Sequence, residues 1–112
     1  MTAKLHYFHG RGNAQQPRWA LAAAMIPFTN VCLSSKDDFD ALCRSGKLAY
    51  QQVPMFEDGE RCLAQRMAIV RHAARVGKLY GATDDDAARI DEVLEGITDA
   101  EELSLYIGAV LN

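Results

Sequence analysis

Gln51-Gln52-Val53-Pro54-Met55 is the stretch whose reading decides the fold. An apolar residue precedes a proline, and residues 55–57 then read as a short strand. Asp58-Gly59 follows as a hairpin signal, because a type I′ turn needs positive φ. Residues 61–63 form the returning strand. Gln65-Arg66-Met67-Ala68-Ile69 opens a helix over 65–76, whose apolar stripe includes Met67, Val70, Ala73 and Val76 and which Gly77 closes. Strand, tight turn, strand and helix after a proline make a unit that can offer its backbone edge to a peptide ligand.

Working outward, residues 4–8 (Leu5-His6-Tyr7-Phe8 among them) read as a first strand, ended by Gly10 and Gly12. Residues 14–25 read as a helix. Pro17 is tolerated in its first turn, where the missing N–H has no partner to lose. Trp19, Leu21, Ala22 and Met25 are expected to face inward, and Pro27 to end the helix. Residues 28–33 read as a second strand and 37–43 as a short helix stopped by Gly46. The order β-α-β-α-β-β-α implies an α/β domain with a four-stranded mixed sheet and helices on its faces.

A last helix begins after Thr83, a good N-cap, with Asp84, Asp85 and Asp86 near its positive end. Apolar residues from Ile90 to Val110 recur at helical spacing. At 1.5 Å per residue a helix over 84–111 is about 42 Å long, which outreaches a small sheet domain. Its carboxy-terminal half has nothing in the chain to bury against, so a partner is expected.

The chain has 112 residues, 49% of them hydrophobic and 24% charged, which fits a globular domain and argues against disorder. The net charge of −3 and the scattered Lys and Arg argue against nucleic-acid binding. No apolar run is long enough to span a membrane. The start lacks a signal-peptide pattern, so a cytoplasmic location is expected. Cys32, Cys43 and Cys62 are odd in number and form no Cys-x-x-Cys pair, so reduced thiols are expected and neither a disulfide framework nor a zinc knuckle. His6, His9 and His72 have no metal-ligand spacing with them. Gly10-Arg11-Gly12 lacks the third glycine of a dinucleotide fingerprint.

Taken together, Lys4-Leu5-His6-Tyr7-Phe8, Arg18-Trp19, Gln51-Gln52-Val53-Pro54-Met55, Leu79-Tyr80-Gly81, Ile90-Asp91 and Glu95-Gly96-Ile97-Thr98-Asp99 resemble cytosolic glutathione transferases, most nearly the alpha class. The resemblance covers nearly the whole chain. It implies a thioredoxin-like glutathione-binding domain over 1–81 and, over 82–112, the first helix of an all-helical second domain. It also implies glutathione as co-substrate, no metal, and a role in detoxification, commonly as a dimer.

By this resemblance Tyr7 donates a hydrogen bond to the thiolate of glutathione, which favours the charged, nucleophilic form of the sulfur. Otherwise Tyr7 is a strand-end ring that packs. Val53 offers its N–H and C=O to the cysteinyl part beside a cis Pro54. Gln52 and Gln65 match glutathione-contacting positions, with Gln65 at a helix start suited to the γ-glutamyl carboxylate. Asp99 matches an acidic residue that reaches the γ-glutamyl amine from the opposite subunit of a dimer; otherwise it is a solvated helix carboxylate.

Three exchanges depart from the family pattern. Arg66 replaces a small hydroxyl residue, and either pairs the γ-glutamyl carboxylate or fills the pocket. Asn13 replaces an arginine beside the sulfur and keeps a hydrogen bond without the charge. Cys43 replaces the basic residue for the glycyl carboxylate, for which Arg44 and Lys47 are nearby substitutes. The chain also carries only the first helix of the second domain, so the electrophile pocket is expected to be largely missing. Glutathione transfer is the leading expectation, with a glutathione-dependent reductase or isomerase not separable from it. The alternative is a non-catalytic, transferase-like assembly module.

Overall fold

A computed structural model describes residues 2–111. One compact unit runs to Leu79 and a second begins at Tyr80. The first contains β1 (Ala3–Phe8), a 3₁₀ turn (Gly12–Ala14), α1 (Gln15–Ala23), β2 (Phe28–Leu33), α2 (Lys36–Arg44), β3 (Met55–Asp58), β4 (Arg61–Ala64) and α3 (Arg66–Val76). The second is α4 (Asp84–Leu111). The strands form one mixed sheet in the order β2-β1-β3-β4. β1 runs parallel to β2 and antiparallel to β3, and β3 and β4 are a hairpin. This is the α/β architecture expected, a thioredoxin-like fold followed by a long helix.

Side chains alternate across β1, so Ala3 and Leu5 turn to one face of the sheet. There they meet Phe56 of β3, Leu21 of α1, and Ile69 and Ala73 of α3 in a single apolar cluster. Leu5, Leu21, Phe56 and Ile69 are all shielded from water, and each contributes about 1.5–3 kcal/mol of burial. His6 faces the other way and is also buried.

The inward face of α1 differs from the sequence expectation. Pro17 and Leu21 are buried, with Ala20 and Ala24 packed beside them. Trp19 (65% exposed), Ala22 and Met25 (87%) face outward. Trp19 lies two residues from Leu21, which is half-way round a helix, so both cannot face the sheet. The helix also ends earlier than Pro27 requires. Met25 takes φ 58, while Ile26 N–H bonds to Leu21 O at 3.0 Å and Met25 N–H to Ala22 O at 3.0 Å. Together these close a Schellman-type cap.

The β3–β4 turn is displaced by one residue from Asp58-Gly59. Asp58 stays in the ladder opposite Arg61, leaving Gly59 and Glu60 as the loop. Of these two, only Gly59 has positive φ, at 61°. That is the pattern of a II′ turn, with glycine at its first central position, not of I′.

The end of α3 holds a further correction. Gly77 has φ −82, so it is not the left-handed cap. Lys78 is, at φ 57, with Leu79 N–H bonded to Ala74 O at 2.7 Å. A Cβ on Gly77 would press on Ala24, whose backbone Cα would lie 2.8 Å away. Gly77 is therefore small because α1 and α3 meet there. Lys78→Gly is expected to stabilise the fold by about 0.5–1 kcal/mol by relieving the left-handed residue. Gly77→Ala is expected to destabilise it through the α1–α3 contact, and urea unfolding reads both signs.

Ser35 caps α2 by accepting from Asp38 N–H at 3.2 Å, while Asp38 accepts from Ser34 N–H at 3.1 Å. No residue of α2 is fully buried. The segment after it is fastened instead by Leu48, which is buried, and by an ion pair. Lys47 Nζ lies 2.6 Å from Glu57 Oε2, and His6 Nε2 lies 3.0 Å from Glu57 Oε1. The Lys47 hydrogen bond, and then that of His6, hold the Glu57 carboxyl below the usual carboxylate range. A carboxyl whose pKa is lower folded than unfolded stabilises fully above its ordinary value, and this is lost as pH falls through the lowered one. Glu57→Gln is accordingly expected to cost about 1 kcal/mol at pH 7. The difference from wild type should shrink in acid, where Glu57 is itself protonated. Unfolding at both pH values tests this, and an equal loss at each would contradict it.

Thr83 caps α4 as expected, its Oγ1 accepting from Asp86 N–H at 3.1 Å. Tyr80 donates its hydroxyl to Asp91 within the same unit. No residue of α4 is fully buried. Among the described residues, no helix is long and apolar enough to cross a membrane.

Candidate functional site

The candidate site is assembled at the carboxy-terminal end of β1. Beyond Phe8 the chain turns through Gly10 (φ 105) and Gly12 (φ 38) into the 3₁₀ turn. Arg18 of α1 ties this loop down: its Nη1 donates to Gly10 O at 2.9 Å and to Gln15 Oε1 at 3.2 Å, and its Nε to Asn30 Oδ1 of β2 at 2.9 Å. Asn13 N–H then donates to Tyr7 Oη at 3.1 Å. The hydroxyl accepts one bond and keeps its own proton to donate.

On the other side, the Val53–Pro54 peptide is cis and leads directly into β3. Gln65 sits between β4 and α3 with φ 75 and ψ 120 and makes no side-chain cap. The first-turn N–H groups of α3 therefore have no capping acceptor from it, an arrangement suited to an anion. Gln51, just before the proline turn, also has positive φ, at 55°. Such residues cost of order 1–3 kcal/mol and are held by their surroundings.

Asn13, Gln52, Val53, Pro54, Gln65 and Arg66 line one cleft of about 100 Å³. Gln65 Nε2 approaches Gln52 Oε1 at 3.5 Å. Arg66 Nη1 donates to Asn13 Oδ1 at 3.2 Å across 53 residues of sequence. Arg66 is the one formally charged residue in the lining. An open groove of about 790 Å³ over β4 and α3, edged by Arg61, Met67 and Arg75, is larger. It includes neither Asn13, whose N–H bonds to the Tyr7 hydroxyl, nor the cis-proline turn, so the smaller cleft is the candidate site.

Arg44, at the exposed end of α2, is not in the lining, and Lys47 is engaged by Glu57. Asp99 is exposed on α4, in the second unit. Two positions escape sequence reasoning. Arg18 serves there only as a family marker, and Gly12 only as a strand-ending residue and part of a failed nucleotide motif. No local pattern signals that Gly12 packs against Tyr7. Among the described residues no cluster of His, Cys, Asp and Glu could hold a metal ion.

The family profile for the glutathione S-transferase N-terminal domain matches residues 3–75. The chain belongs to the glutathione S-transferase family. It is 41% identical to glutathione S-transferase A1 of Homo sapiens over 93% of this chain and 47% of that relative. Among solved structures it is similar to the Pi-class glutathione S-transferase of Onchocerca volvulus, with TM-score 0.81, 32% identity, and coverage of 94% of this chain and 49% of that one. It is also similar to the monomeric Na-GST-3 of Necator americanus, with TM-score 0.76, 27% identity, and coverage of 88% and 47%. The chain spans about half the length of the curated relatives it matches.

Gly12 makes the transferase-like site testable without a substrate. A Cβ there would overlap the Tyr7 hydroxyl, whereas one on Gly10 would meet nothing within 4 Å. Gly10→Ala is expected to cost only its positive φ, about 1–2 kcal/mol. Gly12→Ala should cost more and displace Tyr7 Oη. Amide hydrogen exchange at Asn13 reads the difference, with faster exchange expected in Gly12→Ala alone.

Proposed function

We propose that this chain binds glutathione in the cleft between the β1–α1 loop, the cis-proline turn and α3, and acts as a glutathione transferase. The observation that carries the reading is convergence: residues from three separated segments meet in one cleft, with the Tyr7 hydroxyl bonded to one of them. Val53 would pair its backbone with the cysteinyl part, as an added strand does. Gln52, Gln65, Arg66 and the α3 amides would meet the γ-glutamyl end. Arg44 is the free basic group nearest in sequence to the position expected to face the glycyl carboxylate.

Tyr7 would donate its hydroxyl hydrogen to the sulfur. The thiol proton passes to solvent, and the thiolate lone pair forms a carbon–sulfur bond with the electrophile. Either a leaving group departs with its electron pair, or a conjugated double bond takes the electrons and then a proton. A neutral Tyr7 hydroxyl stabilises the thiolate more than the thiol, so it lowers the barrier without being consumed.

The exposed Leu103, Tyr106 and Val110 of α4 support a second copy as the partner, with Asp99 reaching the γ-glutamyl amine across the dimer. The three free cysteines suit a reducing cytoplasm, where glutathione is held reduced. One observation favours the rival reading of a non-catalytic assembly module. The Arg66–Asn13 bridge already spans the cleft that glutathione would enter.

Calorimetry with reduced glutathione separates the two. Binding of about −4 to −8 kcal/mol, millimolar to micromolar, is expected. Tyr7→Phe is expected to bind comparably and to lose about 10²-fold in turnover with an aromatic halide, the order for one removed oxyanion donor. No binding by wild type at any temperature would leave the assembly reading.

A further inference from the structure

We propose that Lys47 and Glu57, with His6 behind them, are positioning residues for glutathione: their ion pair sets the affinity of the cleft without touching the ligand. The inference rests on the glutathione reading and goes beyond it, because none of the three lines the cleft.

Residues 45–54 form neither helix nor strand, so no ladder fixes their path from α2 to β3. This stretch carries Gln52, Val53 and Pro54, half of the six residues that line the cleft. It also carries Gln51 at φ 55, a conformation that glutamine holds only where its surroundings impose it. The contact of 2.6 Å from Lys47 Nζ to Glu57 Oε2 closes a loop across ten positions of sequence, with all four of these residues inside it. Leu48, 3% exposed, is the apolar half of the same anchor.

The far end of this clamp is rigid. Glu57 belongs to β3 and stands in the ladder opposite Lys4 of β1 and Cys62 of β4. Its other oxygen, Oε1, accepts from His6 Nε2 at 3.0 Å. The carboxylate is thereby aimed from β1, by the residue next to Tyr7, independently of Lys47. Hydrogen bonds from Lys47 and then His6 keep the carboxyl below its usual range, hence charged at neutral pH. Lys47 is 46% exposed, so its substitution leaves the core intact and opens only the loop. A ligand orders less on binding to a preformed wall. With the clamp open and about a tenth of the molecules holding that wall in place, the apparent affinity falls about tenfold. The sulfur chemistry at Tyr7 is untouched, so turnover at saturation stays as in wild type.

The test is calorimetry with reduced glutathione, turnover with an aromatic halide, and amide hydrogen exchange on the ligand-free full chain. Wild type is compared with Lys47→Met, Lys47→Arg, Glu57→Gln and the double variant Lys47→Met/Glu57→Gln. Lys47→Met and Glu57→Gln are each expected to bind about tenfold more weakly, with KM raised and kcat unchanged. Glu57→Gln behaves like Lys47→Met because the amide puts a donor where one acceptor stood and cannot serve both partners. The double variant should lose no more than either single one, since both open the same loop. Lys47→Arg, which keeps the charge, should stay near wild type. Faster exchange is expected over residues 48–53 in both single variants. If Lys47→Met weakens binding while Glu57→Gln binds as wild type or tighter, Lys47 meets the ligand itself, and the inference is overturned while glutathione binding stands. Unchanged affinity in both, or a matching fall in kcat, overturns it as well. If wild type binds no glutathione, the functional reading falls and takes this inference with it.

Discussion

Leu5 and Phe56 face each other across the antiparallel β1–β3 ladder, one 1% and the other 0% exposed. Their register positions everything that matters chemically. With Leu5 opposite Phe56 and His6 opposite Met55, Tyr7 and Pro54 each lie one residue beyond the last pair of the ladder. The tyrosine and the proline turn are therefore neighbours because an apolar pair, two residues deeper, is locked in place. A slip of one residue would turn Leu5 to the far face and bury Lys4 in the core. The cost of that exchange, several side chains' worth of burial and a charge in apolar surroundings, is what makes the site geometry unique.

The same core bears the local strain beside the cleft. Gln51 and Gln65 are two of the four non-glycine residues with positive φ among those described, and they flank Gln52, Val53 and Pro54 on one side and Arg66 on the other. Neither residue type favours that conformation. Each leads into a well-anchored element: β3 begins at Met55, which is fully buried, and α3 is pinned by Ile69 and Ala73. The turn residues adopt what the anchored ends leave them.

How far the sequence discloses this depends on the range of the interaction. Elements set by local pattern are legible: the β-α-β-α-β-β-α order, the bounds of β2, the Thr83 cap and the long α4 all follow from neighbours within a few residues. Errors arise where tertiary contact decides between local options. Asp58-Gly59 is a good turn by itself, but pairing Asp58 with Arg61 moves the turn on by one. Gly77 looks like a left-handed cap and is instead a spacer against Ala24. Trp19 looks like core and is outside, because Leu21 already holds the inward direction. The cleft lining is legible residue by residue through family likeness, yet the Arg66–Asn13 bridge is not, since nothing local couples positions 53 residues apart.

Basic side chains are divided between holding the fold and meeting a ligand, and the division explains the character of the cleft. Arg18 uses its guanidinium on Gly10, Gln15 and Asn30, which builds the loop that carries Asn13. Lys47 is drawn to Glu57, which is already bonded to His6, so it secures the segment after α2 and is not offered to a ligand. What remains in the cleft is Arg66 alone. A site with one cation and many amides discriminates by geometry more than by charge: the amides of Val53 and of the α3 start are fixed in direction, whereas a lone charge attracts any anion. Recognition in such a cleft is therefore set by backbone shape more than by charge.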